Sequence, residues 1–168
     1  PKENGILIVG DHASNRIPDG VDLGLSPELL NDHIAIDIGT AEIAKMVTEN
    51  SNYLAILAGF SRLVADPNRY PDDLGLIPVV SDTVEIPNND LSNEARVERI
   101  EKYYEPYHAR VGELIHDTKP ALVIFLHSFA PKLKSVPSLS KRTALICVLM
   151  SNVPARLRAT WPAPAWAD

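Results

Sequence analysis

The sequence predicts an α/β domain in which a mostly parallel sheet is flanked by helices on both faces. Three observations support this fold class: four short apolar runs typical of buried strands, amphipathic segments between them, and an alternation of the two along the chain. A length of 168 residues fits one domain with one core. We therefore predict a single domain over residues 1–168, with residues 151–168 as an irregular or extended tail, because that segment is rich in Pro and Ala.

The individual elements follow from local patterns. Branched apolar residues predict strands over residues 5–10, 53–58, 121–126 and 144–150. Capping residues and apolar periodicity predict helices that start near Ser26, span residues 38–50, and span residues 91–117. Pro106 is expected to kink or interrupt the last helix. Residues 59–87 are rich in Pro, Asp and Asn without a sustained period, and this predicts a long irregular loop.

Composition and charge exclude several functional classes. A net charge of -6, from 16 Lys and Arg against 22 Asp and Glu, is unsuited to a general nucleic-acid binder. No stretch approaches the ~20 apolar residues of a membrane span, and no signal-peptide pattern opens the chain. We therefore expect a cytoplasmic protein without a membrane partner. The single cysteine, Cys147, excludes a disulfide scaffold, and its apolar context predicts a buried, unreactive thiol.

Two predicted strands end in histidine. His12 comes soon after the first strand and His127 directly after the third, and the carboxyl ends of parallel strands meet at one edge, where ligands bind. A single histidine there is usually an ordinary hydrogen-bonded residue, but two of them favour a shared site. A hydrolytic zinc site commonly uses two histidines and one carboxylate. Asp37 lies in an apolar context where an unpaired charge is costly; it is either that third ligand or a cap of the following helix.

A basic segment in the predicted loop is a candidate substrate site. Arg62, Asn68 and Arg69 lie close together in the sequence, and a guanidinium can bind a carboxylate through two parallel hydrogen bonds. The segment therefore favours an anionic substrate. The alternative is that the arginines pair at the surface with nearby aspartates, namely Asp66, Asp72 and Asp73.

Five short motifs occur in an order that is more specific than any one of them. They are DHASN at residues 11–15, HIAIDIG at 33–39, SRLVADPNR at 61–69, PYH at 106–108 and LHSFAP at 126–131. Over residues 6–150 this series resembles the N-formylglutamate amidohydrolase family. The resemblance implies a phosphorylase/hydrolase-like α/β fold, related to zinc carboxypeptidases and zinc peptidoglycan amidases. It also implies hydrolysis of N-formylglutamate, or a similar small N-acyl amino acid, to an acid and a free amino acid.

The resemblance also implies functional residues and Zn²⁺ as the cofactor. His12, Asp37 and His127 would be the metal ligands and the catalytic residues. Asn15, Arg62, Asn68, Arg69 and Ser128 would contact the substrate. Asn15 occupies the place of a glutamate ligand in the carboxypeptidases, and a neutral amide is a poorer zinc donor. Asp11, next to His12, is expected to orient a histidine, and His108 has either a site role or a packing role.

One expected group is not seen in the sequence. The relatives use a carboxylate late in the chain as general base and acid, whereas Asp168 is the only acidic residue here after Asp117. Loss of a general base costs about 10² to 10⁴ in rate. Three explanations stay open: the chain is truncated relative to the family, it is a degenerate member that binds zinc or an anion without turnover, or Asp11 or Asp66 substitutes. A peptidoglycan amidase is less favoured because no secretion signal is seen.

Overall fold

The centre of the molecule is a four-stranded sheet. The computed structural model describes residues 5–129 and 144–151. In chain order the strands are β1 (Ile6–Gly10), β2 (Leu54–Leu57), β3 (Val80–Ser81), β4 (Val84–Glu85), β5 (Leu122–Phe129) and β6 (Ala144–Ser151). Strands β2, β1, β5 and β6 form the main sheet in that spatial order, and β3 and β4 form a separate hairpin. Apart from Ser151, which ends β6, the predicted tail lies outside the described residues, as does the side chain of Cys147.

The sheet is mostly parallel, as predicted. Strand β1 runs parallel to both neighbours, with Leu7 opposite Leu54 on one side and Val123 on the other. Strand β6 is antiparallel to β5. The ladder between β5 and β6 continues to Phe129, so the predicted end of this strand at Leu126 was wrong. Hydrogen bonding to a neighbouring strand, rather than the apolar run, sets the end of β5 and places His127 inside it.

Helices cover both faces of the sheet. They are α1 (Pro27–Leu30), α2 (Thr40–Glu49), α3 (Asn93–Arg99) and α4 (Glu105–Thr118). On one face Leu7 and Val123 pack in a cluster with Val111 of α4, and on the other Ile8 packs with Ala44 of α2. Successive residues of a strand point to opposite faces, so the continuous apolar runs supply both layers. None of the helices in the described ranges has the length and apolarity needed to cross a bilayer.

The predicted interruption of the long helix takes the form of a π-helical turn. Helical structure runs from Asn93 to Thr118, and the turn Ile100–Tyr104 separates α3 from α4 just before Pro106. Proline has no N–H to donate to the carbonyl four residues earlier, and a wider turn accommodates that missing bond. The sequence therefore predicted the position of the break, and the structure defines its geometry.

The long loop between β2 and α3 is irregular, as predicted, but it is fastened by buried polar contacts. Asn89 donates to the carbonyls of Leu63 and Pro78, at 2.8 Å each, and accepts from Nη1 of Arg99 at 2.6 Å. The segment that leads to Asp66 is completely buried in the core. These contacts give Asp66 a defined position although no regular element carries it.

A candidate metal centre at the carboxyl ends of β1 and β5

Two histidines and one aspartate converge at this edge of the sheet. His12 follows β1, Asp37 lies in the loop before α2, and His127 lies in β5. The two imidazole centroids are 4.9 Å apart, and one ligand atom from each of the three residues lies within 4.8 Å of the others. All three side chains are buried. The convergence predicted from the strand ends is therefore present, and the group could hold a metal ion.

Asp37 lies between the two imidazoles. Its Oδ1 is 3.5 Å from Nδ1 of His12, and its Oδ2 is 2.9 Å from Nδ1 of His127. The backbone N–H of Asp37 donates to the carbonyl of His12 at 2.9 Å, and the N–H of Ser128 donates to Oδ2 at 3.2 Å. The alternative in which the Asp37 side chain caps α2 is wrong, because Gly39 is the N-cap and no side chain caps the helix.

The contact made by Nε2 of His12 indicates that Nδ1 is the ring nitrogen that faces the site. Nε2 donates to Oδ1 of Asp66 at 2.6 Å. An ionised carboxylate only accepts, so this bond places a proton on Nε2, and in the neutral imidazole Nδ1 then keeps its lone pair. Nδ1 of His12 is buried and has no hydrogen-bond partner among the described residues. A buried, unpaired nitrogen is costly, and a cation at this point would satisfy it, so the residues fit a metal ion.

The charges of the site favour a cation. Burial by itself raises the pKa of Asp37, but its close contacts with the imidazoles of His12 and His127 outweigh this effect and hold the pKa below its usual range. Burial likewise raises the pKa of Asp66, but His12 and the guanidinium of Arg62 outweigh this effect and lower the pKa to about 2. Both carboxylates therefore stay ionised near neutral pH, and one anionic and two imidazole donors are a usual set for zinc.

The two arginines lie beside this centre and share Asp66. Nη2 of Arg62 donates to Oδ2 of Asp66 at 2.7 Å, and its Nη1 is 3.8 Å from Oδ1 of Asp37. Nε of Arg69 is 3.9 Å from the same Oδ2, while its Nη1 donates to Asp73 at 3.3 Å. Pairing with aspartates was the alternative to substrate binding. The structure has these pairs, yet both arginine side chains keep exposed surface, 28% for Arg62 and 49% for Arg69.

The other predicted site residues have different surroundings. Asn68 is exposed, and its backbone N–H donates to Oδ1 of Asp66 at 2.9 Å. The amide of Asn15 donates to Asn31 at 2.9 Å. The hydroxyl of Ser128 donates to the carbonyl of Ile38 at 2.8 Å, a contact that supports the loop carrying Asp37. His108 is buried against the ring of Tyr104, with centroids 4.2 Å apart, in the packing layer beside the site.

Two contacts were not predicted from the sequence. Asp66 was considered as an arginine partner or a substitute base, and its bond to His12 was missed. The signal was available, since Asp66 follows three apolar residues just as Asp37 lies among apolar residues. Tyr107, interpreted as an apolar helix position, donates to Oδ1 of Asp11 at 2.7 Å. A buried tyrosine hydroxyl normally has such a partner.

Comparison with known proteins identifies the family. The family model described as N-formylglutamate amidohydrolase matches residues 5–159. The chain belongs to the N-formylglutamate amidohydrolase family. This confirms the resemblance carried by the five motifs. A solved relative of this family member is the crystal structure of gene product Atu2144 from Agrobacterium tumefaciens, with 37% sequence identity and a TM-score of 0.71.

The structural match is partial in length. It covers 77% of this N-formylglutamate amidohydrolase family member and 54% of the Agrobacterium chain, so the chain spans about half of that relative. No curated protein matches the sequence. The likeness supports the α/β fold class.

Proposed function

We propose that this family member is a zinc-dependent amidohydrolase that cleaves the amide of N-formylglutamate or a similar small N-acyl amino acid. The observation that carries the proposal is the buried group of His12, Asp37 and His127 at the sheet edge, in a chain of this family. A zinc ion there would supply Lewis acidity, which polarises an amide carbonyl and makes water acidic enough to react near neutral pH.

Neighbouring residues prepare the three ligands. Asp66 binds Nε2 of His12, so the lone pair of Nδ1 is directed to the metal position. The backbone N–H of Ser128 donates to the carboxylate of Asp37, and its hydroxyl donates to the backbone carbonyl of Ile38. Partners of this kind fix the orientation of the ligands before a metal binds.

The substrate carboxylates would bind on the basic side of the centre. Arg62 is within 4 Å of Asp37, and Arg69 lies next to it around Asp66. A guanidinium is charged at neutral pH, and because both side chains are partly exposed, N–H groups not used by the aspartates could donate to an anion. Together with Asn68 and Asn15, these side chains would orient the acyl bond toward the metal.

Asp66 and Asp11 are the two carboxylates considered as substitutes for the general base. Asp66 already accepts from His12 and Arg62, and a pKa of about 2 makes it a poor base. Burial raises the pKa of Asp11, but this side chain is only 1% exposed and accepts from Tyr107, so water and substrate have little access to it. Neither proposed substitute is therefore poised for proton transfer. This observation favours the second candidate function, a relative that binds zinc or a small anion without turnover.

Formate release from N-formyl-L-glutamate separates the two functions. The purified chain is loaded with zinc, its metal content is measured, and formate is assayed before and after chelation. We expect release that stops with chelator and returns with zinc. His12→Ala should abolish release, while His116→Ala, on the exposed surface of α4, should not. Full zinc occupancy without formate release would establish the binding function instead.

A further inference from the structure

A tyrosine of α4 contacts a carboxylate that lies beside the candidate metal centre. Tyr107 is buried, and its hydroxyl donates to Oδ1 of Asp11 at 2.7 Å. The other oxygen of Asp11, Oδ2, is 3.8 Å from Nε2 of His127. Nδ1 of the same imidazole contacts Asp37 at 2.9 Å. A chain of contacts therefore leads from α4 through Asp11 to a candidate metal ligand.

The arrangement makes Tyr107 a constraint on the orientation of Asp11. A carboxylate with one oxygen in a fixed hydrogen bond presents its other oxygen in a fixed direction, here toward His127. Burial, followed by the nearby charge of Asp11, raises the pKa of the Tyr107 hydroxyl well above its usual value, so the phenol remains a donor. A carboxylate behind a metal-binding imidazole fixes the ring and increases its basicity.

We propose that Tyr107 is a positioning residue of the metal centre, which acts through Asp11 on His127. The inference rests on the metal site of the proposed function, but not on turnover. In this arrangement each imidazole has a carboxylate next to its Nε2 atom: Asp66 for His12 and Asp11 for His127. It also gives α4 a function beyond covering the sheet.

The same helical segment offers two matched controls. The hydroxyl of Tyr104 donates to the backbone carbonyl of Arg69 at 2.8 Å, on the side of the site that carries the arginines. The hydroxyl of Tyr103 is buried and has no hydrogen-bond partner among the described residues. A Tyr→Phe change at each of the three positions removes one oxygen atom and keeps the ring, so only the hydrogen-bond partner differs between the variants.

The test measures zinc affinity by competition with a chromophoric chelator at neutral pH, using zinc alone as the probe. Removal of a direct partner of a ligand costs about 10 to 100-fold in metal affinity. We expect Asp11→Asn to fall in that range, and Tyr107→Phe near its lower end, about tenfold, because it acts through Asp11. Tyr104→Phe and Tyr103→Phe should bind zinc as the wild type does. Tyr104→Phe should raise KM for N-formyl-L-glutamate instead, since it loosens the backbone at Arg69.

Each outcome decides for or against the positioning role. Wild-type zinc affinity in Tyr107→Phe would overturn it, including the case in which Asp11→Asn alone weakens binding. An equal loss in Tyr104→Phe would also overturn it, because the effect would then come from helix packing. Zinc binding without formate release in the wild type, with a weakened Tyr107→Phe, ends the catalytic proposal and leaves the positioning role intact. If the wild-type chain binds no zinc, both the catalytic proposal and the positioning role of Tyr107 are wrong.

Discussion

Acid should destabilise this protein through one buried histidine. His108 is packed between Tyr104 and Tyr107, with ring centroids 4.2 and 5.5 Å away. Burial lowers its pKa from 6.5 to about 4, because a charged imidazole is poorly solvated there. His108 is not one of the three candidate metal ligands, and its effect on folding can be measured on the metal-free protein.

The size and pH range of the effect follow from that difference. As pH falls, the unfolded chain takes up the proton near pH 6.5, while the folded protein does so only near pH 4. Stability is therefore fully present above pH 6.5, decreases as the pH falls through this interval, and levels off below it. A difference of about 2.5 pKa values corresponds to about 3 kcal/mol in total, of which about 2 kcal/mol is lost between pH 7.5 and pH 5.

Urea unfolding followed by circular dichroism measures this contribution. The free energy of unfolding is determined at both pH values for the wild type, for His108→Phe and for His116→Phe, whose histidine is exposed. Other titrating groups are common to the three proteins and cancel in the comparison. His108→Phe should lose about 2 kcal/mol less than the wild type on acidification, and His116→Phe should behave as the wild type. An identical pH dependence in His108→Phe would refute the argument.

Three further predictions concern the site and the core. Asp66→Asn should weaken zinc affinity by about 10 to 100-fold in chelator competition, because an imidazole ligand loses its carboxylate partner. Arg62→Ala should raise KM for N-formyl-L-glutamate without changing zinc affinity, whereas Arg110→Ala, an exposed arginine of α4, should change neither. Leu7→Ala, at a fully buried position, should cost about 2 to 5 kcal/mol in urea unfolding, against roughly 0.5 or less for exposed Leu74→Ala.

Contrary results would have distinct meanings. Unchanged zinc affinity in the first variant would show that the ligand geometry does not depend on that carboxylate. A loss of zinc affinity in the arginine variant would place the guanidinium in the metal centre rather than on the substrate side. Equal costs for the two leucine variants would mean that the sheet core does not dominate stability.

Local sequence patterns predicted most of the fold. The branched apolar runs correspond to β1, β2, β5 and β6, and the amphipathic segments to the helices on both faces. The patterns did not reveal that β6 is antiparallel or that β5 extends to Phe129. Both depend on hydrogen bonds between strands, which a strand's own side chains do not encode.

The sequence also predicted which residue types meet at the candidate site. Two histidines at the ends of parallel strands had to meet at one edge, and an aspartate among apolar residues needed a partner. The helix-cap alternative for Asp37 could be rejected only when Gly39 was seen at the cap and Asp37 between the two imidazoles. A capping aspartate and a ligand aspartate differ in where the side chain points, and the surrounding backbone sets that direction.

The sequence by itself was enough to predict the family, the positions of the strands and the donor residues of the candidate centre, because motif order and hydrophobic periodicity can be read along the chain. Tertiary structure alone decided which atoms those donors present. Asp66, 54 residues from His12, binds its Nε2 and directs Nδ1 inward, and Tyr107, 96 residues from Asp11, orients the carboxylate beside His127. A hydrogen bond fixes the tautomer and rotation of an imidazole, and such partners come together only when distant segments pack.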